Sequence, residues 1–378
     1  MKILLVITKS EIGGAQVFLL NLAKMLKEFG YQVEVAGGEG DYLKDELNRL
    51  GIKFHYIKSL KRNVSVFNHL TFSFDLYNLL AKNLYDIVHL NSSNTLMGIF
   101  AIKFLSHKPK TVFTFHGLSL VDKDSGANKY LKFFAYLYFK YFLKFVERTV
   151  FVSEINYSEA IKDKIVKDGS VIYNGLNLAQ GDFYDKDISR SYFSNLLNYD
   201  FSDCFMLGST GRLAYQKNYE FLIENFNLIK KLFPPAKLII IGEGPNRELY
   251  DSQINKYGLE KDIFLVGALK ESYKYIKSFD VFVLPSRYEG LSISIIEALF
   301  AGIPILATDV GGNSEIVDKN SNQLYKLNDV EDFLENLKWI TQNSVSIIEN
   351  NNNRKSSFDS LEMVKQYEAI YKSLLKTN

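Results

Sequence analysis

Two acidic residues carry the most specific chemistry in the chain. Glu289 and Glu297, with seven residues between them, lie in VFVLPSRYEGLSISIIEALFAGIPILATDVGG, residues 281–312. A carboxylate accepts hydrogen bonds from two hydroxyls at once, so such acids suit a polyhydroxylated ligand. Each has a plainer reading. Ser294 and Glu297 are spaced as a capping box that would close a helix start, and Glu289 has the alternative of a solvated loop charge. The backbone of Gly290, Leu291, Ser292 and Ile293 opens the helix that follows, and free N–H groups at a helix start form a natural phosphate site.

A second constellation is GSTGRLAYQKN, residues 208–218, with Arg212 and Lys217 after a strand and before a helix. A guanidinium grips phosphate oxygens in pairs and an ammonium acts as a point charge, so the two suit a diphosphate. Lys217 stands where the helix dipole is positive, which is unfavourable without an anion, so an anion is expected there. The alternative is two solvated cations in a loop. Gly13 and Gly14, between the first strand and its helix, let backbone approach a phosphate or sugar closely, although such pairs also serve turn geometry. Glu243 lies in a further glycine turn, GEGP, residues 242–245. The five histidines are His55, His69, His89, His107 and His116. No two share metal-ligand spacing on one helix, so no metal is expected, and no other cofactor is expected either. His89, in DIVHLN, reads as core, whereas His116 ends the strand TVFTF and precedes Gly117.

These residues require a scaffold of alternating strands and helices. KILLVIT, AQVFLLNLAKMLKEFG and YQVEVAGG form a first βαβ unit, with Gly30 ending its helix. IKFHYI, DIVHLN, TVFTFHG, RTVFVS and SVIYNG read as further strands, and CFMLGSTGR, AKLIIIGEG, DIFLVGAL, VFVLPS and IPILATD as a second series. The fold class is therefore α/β, with a mainly parallel sheet and helices on both faces in each half. The candidate acids fall at a strand-to-helix turn, and ligands bind outside the carboxyl ends of such strands. NLAQGDFYDKDIS, after Gly175, reads as an interdomain linker, and the Asn-rich stretch 349–354 as a loop. The domains expected are 1–180 and 190–357, followed by an amphipathic helix with Met363, Tyr367, Ile370 and Tyr371 on one face.

LPSRYEG, EALFAGIPILATDVGG, the Gly-Arg-Leu-x-x-x-Lys run ending at Lys217 and the Gly13-Gly14-x-Gln16 opening together resemble the retaining glycosyltransferases of family four, the group 1 glycosyl transferases. The resemblance implies the GT-B fold, two Rossmann-like doubly wound domains facing across a cleft, with helix 358–378 crossing back to the first. It implies a nucleoside diphosphate sugar donor, UDP-linked, held by the second domain, and a saccharide or lipid-linked saccharide acceptor at the first, as in bacterial surface glycan assembly. Glu297 would bind the ribose hydroxyls, Glu289 the transferred sugar, and Gly13 and Gly14 the donor. His116 would lie over the donor sugar and Glu243 near the base, while Arg212 and Lys217 would hold the diphosphate. Ser292 stands where the family often has glycine, which bears on the sugar pocket rather than on phosphate binding. Two rivals are a GT-B sugar-nucleotide 2-epimerase and a non-catalytic nucleotide-binding partner subunit.

At 378 residues the chain is long enough for two domains, and 47% hydrophobic with 23% charged residues excludes disordered and fibrous classes. The net charge of +2 is divided unevenly: residues 1–180 carry 23 Lys and Arg against 16 Asp and Glu, the remainder 22 against 27. No nucleic-acid partner is expected. KYLKFFAYLYFKYFLKFVER, residues 129–148, reads as a basic, aromatic-rich amphipathic helix suited to an anionic membrane surface, or alternatively as a core helix with snorkelling lysines. The one cysteine, Cys204, and the lack of a signal-like or membrane-spanning run point to the cytoplasm, the protein being either soluble or peripheral at the inner face of the membrane.

Overall fold

A computed structural model describes residues 1–61, 66–118 and 121–376, the side chains of Val66, Phe67, His69 and Gln180 lying outside the described part. The chain divides into two compact units, residues 1–177 with 357–378, and residues 178–356.

Unit 1 runs β1 (Lys2–Ile7), α1 (Gly14–Glu28), β2 (Gln32–Gly37), α2 (Tyr42–Arg49), β3 (Lys53–Tyr56), α3 (Val66–Lys82), β4 (Ile87–Asn91), α4 (Gly98–Lys103), β5 (Lys110–Phe115), α5 (Lys129–Phe142), β6 (Arg148–Phe151), α6 (Glu154–Lys162) and β7 (Ser170–Val171). Among the described residues its strands form one parallel sheet of seven, ordered β3-β2-β1-β4-β5-β6-β7. The apolar runs are near-continuous because both faces are covered. Side chains alternate along each strand, so Leu4 and Val6 of β1 face one core with Phe72, Ile99 and Phe139, while Ile3, Leu5 and Ile7 face the other with Phe18 and Leu22.

Unit 2 comprises α7 (Lys186–Leu197), β8 (Phe205–Thr210), α8 (Tyr219–Leu232), β9 (Ala236–Ile241), α9 (Arg247–Lys256), β10 (Ile263–Leu265), β11 (Val281–Leu284), α10 (Ile293–Ala301), β12 (Ile305–Thr308), α11 (Asn313–Ile316), β13 (Leu324–Tyr325), α12 (Val330–Gln342) and α13 (Ser344–Asn352). Its described strands make a six-stranded parallel sheet, ordered β10-β9-β8-β11-β12-β13. The last helix, α14 (Ser360–Lys376), belongs to unit 1, where Met363, Val364, Tyr367 and Tyr371 join the core beneath α1.

Four local readings differ from expectation. β13 has two residues, too few to show a period in sequence. The presumed linker already contains the start of α7, which Arg190 pins to unit 2 through Asp280 at 2.8 Å and the Ser278 carbonyl at 3.1 Å. The Asn-rich stretch is helical through Asn352, because buried Asn351 exchanges amide hydrogen bonds with Gln323 at 2.9 and 3.1 Å. The long basic helix stops at Phe142, and Arg148 begins β6. No helix among the described residues is long and apolar enough to cross a membrane.

Candidate active site

In unit 2 the strand order reverses between β8 and β11, so the loops leaving their carboxyl ends diverge and open a crevice, the expected ligand position in such a sheet. The β8 loop holds Gly211 to Asn218 and the β11 loop Pro285 to Ser292. They are stitched together: the Arg287 N–H donates to the Gln216 carbonyl at 2.8 Å, and Gln216 Nε2 donates to the Tyr288 carbonyl at 3.0 Å. Lys217 Nζ then reaches Glu289 Oε1 at 2.7 Å. Glu289 also accepts from Ser286 Oγ at 2.7 Å and Gln216 Nε2 at 3.3 Å.

This geometry excludes one alternative and corrects one expectation. Glu289 is 8% exposed and accepts three hydrogen bonds, so it is not a solvated loop charge. Lys217 closes a short 3-10 turn before α8 and is neutralised by Glu289, so its charge does not by itself demand an external anion. Gln216 and Ser286, which hold Glu289 from either side, carry no sequence signal because their roles depend on two loops meeting.

The capping-box reading of Glu297 also fails. The N-cap of α10 is Ser292, with no side-chain cap bond, and Glu297 lies one turn inside the helix, buried. Burial raises its carboxyl to about 8, with Lys217 drawing it partly back, and it makes no hydrogen bond to the described residues. The N-terminus of α10, opened by Gly290, Leu291, Ser292 and Ile293, has no acidic residue in its first turn. An uncapped helix start of this kind offers N–H donors to an anion.

Backbone contacts fix the loops. A Cβ on Gly311, whose φ is +49°, would stand 1.9 Å from the Glu289 carbonyl oxygen, and the Gly312 N–H donates to the Gly290 carbonyl at 2.8 Å. A Cβ on Gly242 would likewise stand 1.9 Å from the Gly211 carbonyl oxygen, which brings the GEGP turn against the β8 loop. Within that turn Glu243 pairs with Arg247 at 2.9 Å on the surface. Arg212 projects exposed from the β8 loop.

In unit 1 the order reverses between β1 and β4. Thr8 and Ser92, just beyond these strands, hydrogen-bond to each other, and Ser92 is held at φ +112°, a conformation that favours glycine. His116, beyond β5, directs Nε2 to Asn91 Oδ1 at 3.2 Å, and Asn91 in turn donates Nδ2 to the His89 carbonyl at 3.1 Å. That bond orients the Asn91 amide, so Nε2 of His116 carries the proton and Nδ1 is left as an acceptor. Burial lowers His116 to about 4, so the imidazole is neutral near pH 7. Gly13 is the uncapped N-cap of α1 and Gly14 its first residue. His89 is core: Nδ1 pairs with Tyr371 OH and Nε2 with Thr114 Oγ1, both at 2.7 Å.

Residues 201–356 match the family Glycosyl transferases group 1, and residues 12–180 match Glycosyltransferase Family 4. The chain is a group 1 glycosyltransferase with the GT-B fold. This glycosyltransferase is 28% identical over 375 residues to the UDP-Gal:alpha-D-GlcNAc-diphosphoundecaprenol alpha-1,3-galactosyltransferase of Escherichia coli, covering 95% of this chain and 92% of that protein. It is 24% identical to the capsular polysaccharide biosynthesis glycosyltransferase CapH of Staphylococcus aureus, over 86% and 84% of the two chains. Its fold matches that of HepE of Anabaena, solved in complex with UDP and glucose, at a TM-score of 0.81, 19% identity and coverage of 99% and 100%. Sucrose-phosphate synthase of Thermosynechococcus elongatus matches at 0.80, with 17% identity and both chains fully covered.

Proposed function

We propose that this glycosyltransferase moves a sugar, with retention of anomeric configuration, from a UDP-sugar to a saccharide or lipid-linked saccharide acceptor during glycan or capsule assembly. The observation that carries the reading is the convergence of Lys217, Glu289, buried Glu297 and the uncapped start of α10 at one switch point. Unit 2 binds the donor. Arg212, Lys217 and the α10 N–H groups neutralise the diphosphate, Glu297 accepts the ribose hydroxyls, and Glu289 contacts the transferred sugar. The relatives support the donor and acceptor classes, since one is named for UDP-Gal and a diphosphoundecaprenol-linked GlcNAc and another for capsule synthesis.

The bond from the anomeric carbon to the phosphate oxygen breaks while the acceptor oxygen attacks from the same face. The departing phosphate takes the acceptor proton, so no separate protein base is required. Positive charge held around the diphosphate stabilises its developing negative charge. His116, neutral with Nδ1 free to accept, receives a sugar hydroxyl in unit 1.

The test is transfer from a panel of UDP- and GDP-hexoses to polyprenyl-diphosphate saccharides, with the anomeric configuration of the first product read by proton NMR. Transfer from a UDP-sugar with retention is expected. An inverted product, or isomerised donor formed without acceptor, overturns the reading.

A further inference from the structure

Helix α5 carries two apolar stripes, and the fold buries one of them. Ala135, Phe139 and Phe142 point into the core of unit 1, where Phe139 meets Phe115 at 5.1 Å and Phe142 meets Phe100 at 5.0 Å. On the opposite side, Tyr130, Phe134, Leu137 and Tyr141 recur at helical spacing and remain 66, 64, 43 and 50% exposed. Phe133 and Phe145 widen that stripe. A helix that packs as core does not repeat its apolar pattern on the solvent side, so the snorkelling-lysine alternative does not account for it.

Charge tells what covers this face. From Ser125 to Val146 there is no Asp or Glu, while Lys129, Lys140 and Lys144 are exposed beside the aromatic stripe and Lys132 is half-buried. Lys103, at the end of α4, lies over the Phe145 ring at 3.0 Å, and Phe104 next to it is 76% exposed. Helix α3, in the same layer over the sheet, turns Leu70 and Phe74 outward. Aromatic rings interleaved with lysines match the headgroup boundary of a bilayer: rings enter the acyl edge and ammonium groups meet anionic phosphates. A protein partner of comparable apolarity would not call for this one-signed rim.

We infer that the outer face of α5, extended by Phe104 and Phe145, is a docking surface for an anionic lipid membrane, on which the helix lies in the interfacial plane. The inference stands on this face alone and does not depend on the proposed donor or acceptor.

The test is sedimentation of the full chain with vesicles of phosphatidylcholine alone and of phosphatidylcholine with phosphatidylglycerol, at low and at 0.5 M salt. Binding is expected only to the anionic vesicles and should weaken with salt. Lys129→Glu with Lys140→Glu and Lys144→Glu, and separately Phe134→Ser with Tyr141→Ser, should each lower the partition coefficient by about tenfold or more. Circular dichroism and the melting temperature of both variants should stay near those of the parent, because these side chains leave the core untouched. No binding by the parent chain overturns the proposal, as does binding that both variants retain. A self-associated parent that Phe134→Ser with Tyr141→Ser converts to monomer, without vesicle binding, overturns it in favour of a protein interface.

Discussion

Lys217 and Glu289, 72 positions apart in the chain, form an ion pair of 2.7 Å between the loops that leave β8 and β11. Both are largely buried, so the pair joins the two halves of the crevice. Removing one partner of such a pair leaves an uncompensated charge. Lys217→Ala should therefore lower stability by roughly 3 kcal/mol and Lys217→Met with Glu289→Gln by less, as measured by urea unfolding. Equal losses in both would show that the pair does not couple the loops.

Arg212→Ala and Lys217→Ala should each cut turnover on the order of a hundred- to a thousandfold if they stabilise the departing diphosphate. Arg212 is exposed, so its variant should keep the parent melting temperature. Near-normal transfer by both variants would refute the assigned roles. If these cations and the α10 start hold the diphosphate as proposed, transfer should also persist in excess EDTA.

Glu297 has its carboxyl raised to about 8 by burial, against an ordinary value of 4.5. The folded state therefore binds the extra proton, and the stabilisation from this group is complete below pH 4.5 and lost as pH rises through about 8. If ribose hydroxyls donate to the charged form as proposed, they lower the value again, so UDP binding should release a proton near pH 7. Calorimetry in buffers of different ionisation enthalpy reads that proton directly. In Glu297→Gln the release should vanish and affinity fall; an unchanged proton count removes Glu297 from the ribose.

His89 and His116 are held at about 3 and about 4 by burial, against 6.5 in the unfolded chain. Depressed histidines favour the fold fully above pH 6.5, and that contribution is lost progressively as pH falls from 6.5 to the folded values. Unfolding free energy should drop by about 1.4 kcal/mol per pH unit for each imidazole between roughly pH 6 and 4.5. His89→Gln should reduce this slope in urea titrations; an unchanged slope would assign the acid sensitivity elsewhere.

Gly311→Ala should disable the proposed donor site without touching a charged group. The new Cβ would stand 1.9 Å from the Glu289 carbonyl oxygen, and alanine disfavours φ +49°. UDP affinity should fall by about tenfold or more, with a lower melting temperature, whereas Gly258→Ala, at a positive-φ site with nothing within 4 Å, should affect stability alone.

Much of this molecule is legible in order of residues. Apolar runs such as KILLVIT and AKLIIIGEG specify buried parallel strands, because each residue pattern acts locally on one element. The loops bearing Arg212, Lys217 and Glu289 are likewise placed by the strand before and the helix after. Distance in the chain hides the rest. Whether Glu297 caps α10 or lies buried within it depends on a helix start that differs by two residues, which packing decides. His89 finds Tyr371 across 282 positions only when α14 lies against the sheet of unit 1. The two apolar stripes of α5 are equivalent as sequence, and only the layer over β5 and β6 selects which one faces the core. The acids at 289 and 297 were readable as chemistry, but the ion pair that orients one and the burial that protonates the other arise from strands that are neighbours in the sheet and not in the chain.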